Sequence, residues 1–295
     1  MKRHVYFLPV LAVVLSAQTP PRTSDVEVPA GGVPLYNVNV VARTTKAVNY
    51  HHRSVPTKIG FEGTVLMPDA RGEAKVEGKK GAMRVDAKFK DLQPPTRFGA
   101  QYLTYVLWAI TPQGRAINLG EVLTNHDHQG KLQATAELQA FALVVTAEPY
   151  YAVTEPSDVV VLENVILPET MGKVQTVDAK FELLKRGTYT YDKSRADTVQ
   201  PEGKKISLDR YEALLEVYQA MNAVQLAKAQ GADQMAAASY EKAERLLREA
   251  ESQYAAKQKS RVVVATAREA TQTAEDARLI TQRKKEQQST LPQAQ

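Results

Sequence analysis

Histidines and neighbouring carboxylates are the side chains of this sequence that can ligate a metal or move a proton near neutral pH. In Asn125-His-Asp-His-Gln-Gly130, His126, Asp127 and His128 offer two imidazoles and a carboxylate, a donor set that suits a divalent transition metal. The same run reads as a hairpin tip open to water, without a further firm ligand or the hydrogen-bonding partners that orient metal-bound imidazoles. A solvated turn is the preferred reading, and a metal-dependent activity at His126 and His128 the lowest-ranked alternative. His51 and His52 are consecutive, so a strand sends them to opposite faces. Glu148, followed by Pro149, invites an acid–base reading but better suits a strand end that fixes a turn. Glu275 and Asp276 are placed on a helix exterior, where consecutive residues diverge. Nucleophilic catalysis lacks a Gly-x-Ser-x-Gly elbow, and phosphate chemistry lacks a glycine-rich loop. The chain has no Cys, which removes disulfides, thiolate metal sites and cysteine nucleophiles together. The expectation is a non-enzymatic protein with no cofactor.

These residues are positioned by an expected β region organised around residues 101–122, which hold the only Trp and read as strand, tight turn, strand. Tyr105, Leu107 and Ala109 share one face of the first strand and Val106, Trp108 and Ile110 the other, because strand side chains alternate. Both faces are therefore covered, which places the hairpin at the centre of a layered β structure, with Tyr105 and Trp108 as structural residues. Thr111-Pro-Gln-Gly114 carries Pro second and Gly fourth, as a type I turn favours. Further strand runs occupy 36–44, 58–67, 72–76, 82–89, 131–137, 142–148, 159–162 and 174–183, with hairpin tips at Ala70-Arg-Gly72, Pro112-Gln-Gly114 and His128-Gln-Gly130. Met83, Val85, Ala87 and Phe89 face one way and Arg84, Asp86, Lys88 and Lys90 the other, which puts that strand toward an edge or on an outer face. The pattern predicts an Ig-like antiparallel β-sandwich over 35–186. Tyr150 and Tyr151 are read as plugging one end, against a last strand carrying Tyr189 and Tyr191.

The chain around this region falls into further parts. Residues 1–17 join a basic start to a short apolar run and a small-residue exit at Ser16-Ala17, the composition of a secretory signal peptide. A Pro-rich linker follows over 18–34. Residues 187–206 have no sustained period and form a second linker. From Ser207 the period becomes helical. Tyr211, Leu214, Tyr218, Met221 and Gln225 form one stripe that stops at Gly231. Ala236, Tyr240, Ala243, Leu247, Ala250 and Tyr254 form a second, and Val263, Ala267, Ala270, Ala274 and Ala277 a third. Three amphipathic helices with short connections predict an Ala-rich antiparallel bundle over 207–288, before a polar tail, 289–295, expected to be disordered. The fold class is thus all-β plus all-α in separate domains.

The formal charge of +5 leaves 38 basic and 33 acidic residues nearly balanced, and aromatic residues are 7%. Without basic and aromatic residues interleaved, nucleic acid is not an expected partner. No segment beyond the N-terminal run is apolar for long enough to span a bilayer as a helix.

Two resemblances carry further expectations. Tyr105-Val-Leu-Trp108, Gly114, Leu119-Gly120-Glu-Val122, Val144-Val-Thr-Ala-Glu148-Pro149, Pro156 and Val159-Val-Val-Leu162 resemble, in order, the strands of the extracytoplasmic domain of anti-sigma-K factors. The likeness implies a β-sandwich with Gly114, Gly120, Glu148 and Pro149 as structural positions, and says nothing of sigma-factor binding. Ala-Lys-Ala-Gln-Gly-Ala232, Tyr240-Glu-Lys-Ala-Glu-Arg-Leu-Leu247 and Ala265-Thr-Ala-Arg-Glu-Ala270 resemble the Ala-rich helical domain found in envelope proteins upstream of OmpA-like domains. Together they resemble the N-terminal part of a bacterial OmpA-family envelope protein. No residues match the OmpA-like domain itself, so peptidoglycan binding is not implied. The expectation is a periplasmic or secreted protein that acts in protein interaction, with an envelope protein or through self-association of the helices, or as a spacer. A small-ligand or carbohydrate-binding module is the alternative, and it needs a pocket lined by exposed Tyr.

Overall fold

A computed structural model of the chain describes residues 43–50, 55–79, 81–125, 127–179 and 207–290. The described residues all belong to one compact unit. The expected signal peptide, both linkers and most of the tail lie outside the described residues, as do His51, His52, His126, Tyr189 and Tyr191.

The strands are β1 (Arg43–Asn49), β2 (Thr57–Gly63), β3 (Arg71–Lys79), β4 (Ala82–Lys90), β5 (Thr104–Ile110), β6 (Ala116–Val122), β7 (Gly130–Ala136), β8 (Ala140–Glu148), β9 (Val160–Val165) and β10 (Lys173–Ala179). Antiparallel ladders connect them in the order β6-β5-β8-β9-β2-β3-β4-β7. The sheet curls until β6 approaches β7, where a bridge between Thr124 and Gly130 ties their connecting loop, so it is nearly barrel-shaped. β1 and β10 pair beside it, and β1 reaches β8 at Val48 and Asn49. Asn164 fills the fork where β1 and β9 both approach β8. Its Nδ2 donates to the Lys46 carbonyl and its Oδ1 accepts from the Leu143 amide, so backbone groups left without a ladder partner remain paired.

The alternation read in the Trp108 strand is realised: every β5 residue is buried. Tyr105, Leu107 and Ala109 join the inner cluster with Val85, Phe89, Phe61 and Leu143. Val106, Trp108 and Ile110 belong to a different cluster, shared with the helices. Thr111-Pro-Gln-Gly114 closes the hairpin, with the Gly114 amide donating to the Thr111 carbonyl at 2.8 Å and Gly114 at φ 82°, a left-handed conformation that glycine adopts freely. The hairpin is not central in the ladder, however. Among the described residues β6 pairs with β5 alone, because side-chain alternation reports what covers the two faces and not which backbone lies alongside. β4 buries Met83, Val85, Ala87 and Phe89 and turns its other face outward. The expected tip at Ala70-Arg-Gly72 is displaced: Arg71 and Gly72 already pair in β3, and residues 64–70 make the connection.

The helices are α1 (Leu208–Ala229), α2 (Ala237–Ala255) and α3 (Ser260–Thr290), with one further turn at Ala232–Met235. Ser207 precedes α1 in extended conformation and Asp209 sits in its first turn, where a negative charge meets unpaired amides. Gly231, at φ 86°, ends it, and Lys285 of α3 donates to the Gln230 carbonyl at 2.6 Å. The stripes read for α2 and α3 are all buried. That of α1 is not the whole of its buried surface. Ala213, Val217, Gln219, Ala220, Asn222, Ala223, Val224 and Ala227 are buried besides Leu214 and Met221, whereas Tyr211 is 53% exposed. A helix buried nearly all round lies between layers, and α1 packs against α3 on one side and the sheet on the other. Among the described residues no helix is long and apolar enough to cross a membrane.

Candidate functional site

The Trp108 face of β5 and β8 is the floor on which the helices rest. Trp108 Nε1 donates to Thr146 Oγ1 at 2.8 Å, and that hydroxyl donates to Glu148 Oε1 at 2.5 Å. Glu148, fully buried at the end of β8, also accepts the Ser157 amide at 2.7 Å, so its carboxylate anchors the loop between β8 and β9. The Pro149 carbonyl accepts from Asn222 Nδ2 at 3.2 Å and brings α1 onto that loop. Tyr105 donates to the Gln93 carbonyl, and burial pushes its phenol up. Gly120, at φ 134°, lies beside the bulge where the β5–β6 register shifts, and the Asn118 side chain accepts its amide.

Two polar joints fasten the helices to the sheet. The first is saturated. Arg278 and Glu275 form a two-pronged pair, Nε to Oε2 and Nη2 to Oε1, both 2.8 Å. Glu275 further accepts from Tyr150 Oη (2.7 Å), the Thr154 amide (3.0 Å) and Thr154 Oγ1 (2.6 Å). Glu275 is fully buried and Arg278 2% exposed. Burial alone would raise this carboxyl, but the Arg278 guanidinium and the hydroxyl donors hold it below its ordinary value. Glu275 is therefore not on a helix exterior: only its neighbour Asp276 is. Tyr150 is sealed in this joint, and Tyr151, half-buried beside it, lies 4.5 Å from the Arg268 guanidinium.

The second joint carries more negative than positive charge. Arg268 Nη2 of α3 contacts both Glu121 Oε2 of β6 and Glu216 Oε1 of α1 at 2.6 Å. Gln219 Nε2 and Thr104 Oγ1 each donate to Glu121 Oε1 at 2.8 Å. Glu216 Oε2 is buried with no hydrogen-bond partner. Desolvation, and then the charge of Glu121, push Glu216 up to about 7.

Beside this joint a cleft of about 580 Å³ opens between α1 and the sheet, within the size range of small-ligand sites. Pro94, Pro95 and Leu103 line one part, Val122, Leu123, Asn125 and His128 another, and Tyr211, Glu212 and Leu215 of α1 a third. Leu123 and Tyr211 are 51% and 53% exposed. His128 adopts φ 57° in a turn whose Asp127 and Gln129 amides both donate to Asn125 Oδ1. With His126 outside the described residues, Asp127 and His128 are the described members of the metal candidate, and the described residues contain no cluster of three metal-ligating side chains.

Sequence reasoning missed the Glu275–Arg278 pair, the Glu121–Glu216–Arg268 joint and the cleft role of Tyr211. The available signal was a second stripe on α3: Thr271, Glu275, Arg278 and Thr281 recur at helical spacing beside the alanines and are all buried. No protein-family model matches the chain, and no curated protein matches it significantly.

Proposed function

We propose that this is an exported, non-enzymatic cell-envelope protein that works by binding a segment of a protein partner in the cleft between α1 and the sheet. The observation that carries the reading is the pair of exposed large apolar side chains, Leu123 and Tyr211, on opposite walls of a cleft of about 580 Å³. Exposed apolar groups gathered at a concave site mark interaction surfaces. Export rests on the signal-like residues 1–17. The resemblance to OmpA-family envelope proteins supports the periplasm as the compartment. It also supports the finer description of the sheet as an Ig-like sandwich and of the helices as an antiparallel three-helix bundle. A binding role is favoured over a spacer or self-associating stalk because the apolar stripes of α2 and α3 are already buried within the chain. It is favoured over catalysis because the carboxylates at both joints are engaged by guanidinium groups of the chain itself, Glu275 by Arg278 and Glu121 and Glu216 by Arg268.

A small-ligand or carbohydrate-binding role is the second reading, favoured by exposed Tyr211 among the polar groups Asn125, Gln129 and Glu212. Photo-reactive residues placed at Leu123 and at Tyr211 in native cells test both, with Val65, 84% exposed and not a cleft residue, as control. Polypeptide adducts at the first two positions and not the third support the protein-binding reading, and saccharide or small-molecule adducts support the second. Equal labelling at all three removes the cleft from either.

A further inference from the structure

The second joint ties together the two walls of the cleft. Glu216 follows Leu215 in α1, and Glu121 precedes Val122 in β6, and both Leu215 and Val122 line the cleft. Thr104, a third lining residue, donates to Glu121. Any change in how Glu216 meets Arg268 and Glu121 is therefore delivered directly to the walls.

The joint is built to change with proton binding. One guanidinium nitrogen contacts both carboxylates, and a single cation fails to offset two adjacent anions. Glu121 has both oxygens engaged, by Thr104, Gln219 and Arg268. Glu216 instead holds one oxygen buried and unpartnered, an arrangement that is costly for a carboxylate and milder for a carboxylic acid. The charged and titratable groups that face Glu216 are Glu121 from β6, Arg268 from α3, Tyr151 beneath that guanidinium and Glu212 one turn earlier on α1. The Glu275–Arg278 joint, whose buried carboxylate has donors on both oxygens, stays fastened throughout.

We propose that Glu121, Glu216 and Arg268 form a protonation-operated clamp that sets the width of the cleft, closed when Glu216 carries a proton and loosened when Glu216 ionises. The proposal rests on the cleft being the binding site, and it regulates that site. Burial and Glu121 place the transition at about pH 7. An exported protein meets changes of external pH in that range without cytoplasmic buffering.

The absence of Cys makes the measurement direct. Leu123→Cys and Tyr211→Cys together, spin-labelled in the full chain, report the distance across the cleft by pulsed electron resonance between pH 5.5 and 8.5. The distribution is expected to lengthen or broaden with a midpoint near 7. Glu216→Gln holds the acid distribution at every pH, and Glu121→Gln, which removes the repelling charge, lets Glu216 ionise more readily and moves the midpoint to lower pH.

A distribution that stays constant across this pH range overturns the clamp, as does a Glu216→Gln chain that still titrates like its parent. Failure of the binding reading shows separately: photo-adducts absent from the cleft at every pH would remove the site while leaving a pH-dependent width intact.

Discussion

Arg278→Met puts the docking of the helices to its hardest test. The substitution keeps an unbranched side chain of similar reach but removes both prongs to Glu275 and the 2.8 Å bond from Nη2 to Thr154 Oγ1. Glu275, fully buried, keeps only Tyr150 and Thr154 as donors and loses its countercharge. Removing one partner of a buried pair costs about 3–5 kcal/mol, because the remaining charge is stranded away from water. Urea unfolding followed by fluorescence is the assay, since Trp108 is the only Trp and its face of β5 is covered by the helices. The double variant Glu275→Gln with Arg278→Met carries no stranded charge and is expected to recover part of the loss. A single variant within about 1 kcal/mol of the parent would refute the view that this pair fastens α3 to the loop after β8.

Other consequences follow from the same packing. Trp108→Ala empties a fully buried site and removes the donor to the Thr146 hydroxyl oxygen; a loss of about 3–5 kcal/mol is expected by denaturation, and a folded parent whose Trp emission is typical of water would contradict the burial. Glu216 is held near 7 in the folded chain against an ordinary 4.5, so the unfolded chain ionises first and stability falls as pH rises from about 4.5 to 7, by about 3 kcal/mol at most. Glu216→Gln should flatten that part of the stability profile, and an unchanged profile would count against the assignment. Gly63→Ala sets a new Cβ 2.0 Å from the Met67 carbonyl oxygen, and calorimetry should show a loss of about 1–3 kcal/mol.

Much of the fold was legible because burial leaves a period in the sequence. Strand alternation located β4 and β5, runs bounded by turn residues located β6 and β8, and the helical stripes of α2 and α3 are buried as read, since each packs through one side. Lateral pairing left no such trace, which is why β6 looked central and proved to have one ladder partner among the described residues. α1 misled for a different reason: buried between layers, it has no single apolar stripe, and Tyr211 at the end of the expected stripe lines the cleft instead. Glu275 read as solvent-facing because a carboxylate on a helix normally is. Its partner Tyr150 lies 125 residues away in sequence, and Arg268 and Glu121 of the second joint are 147 apart, beyond any local pattern.

The measurement that bears most directly on the binding role is the photo-adduct pattern at Leu123, Tyr211 and Val65 in native cells. Adducts to one polypeptide at Leu123 and Tyr211, lost when the opposite wall is changed by Leu215→Ala, are the predicted result. Equal adducts at Val65, or none at either cleft position, would contradict it.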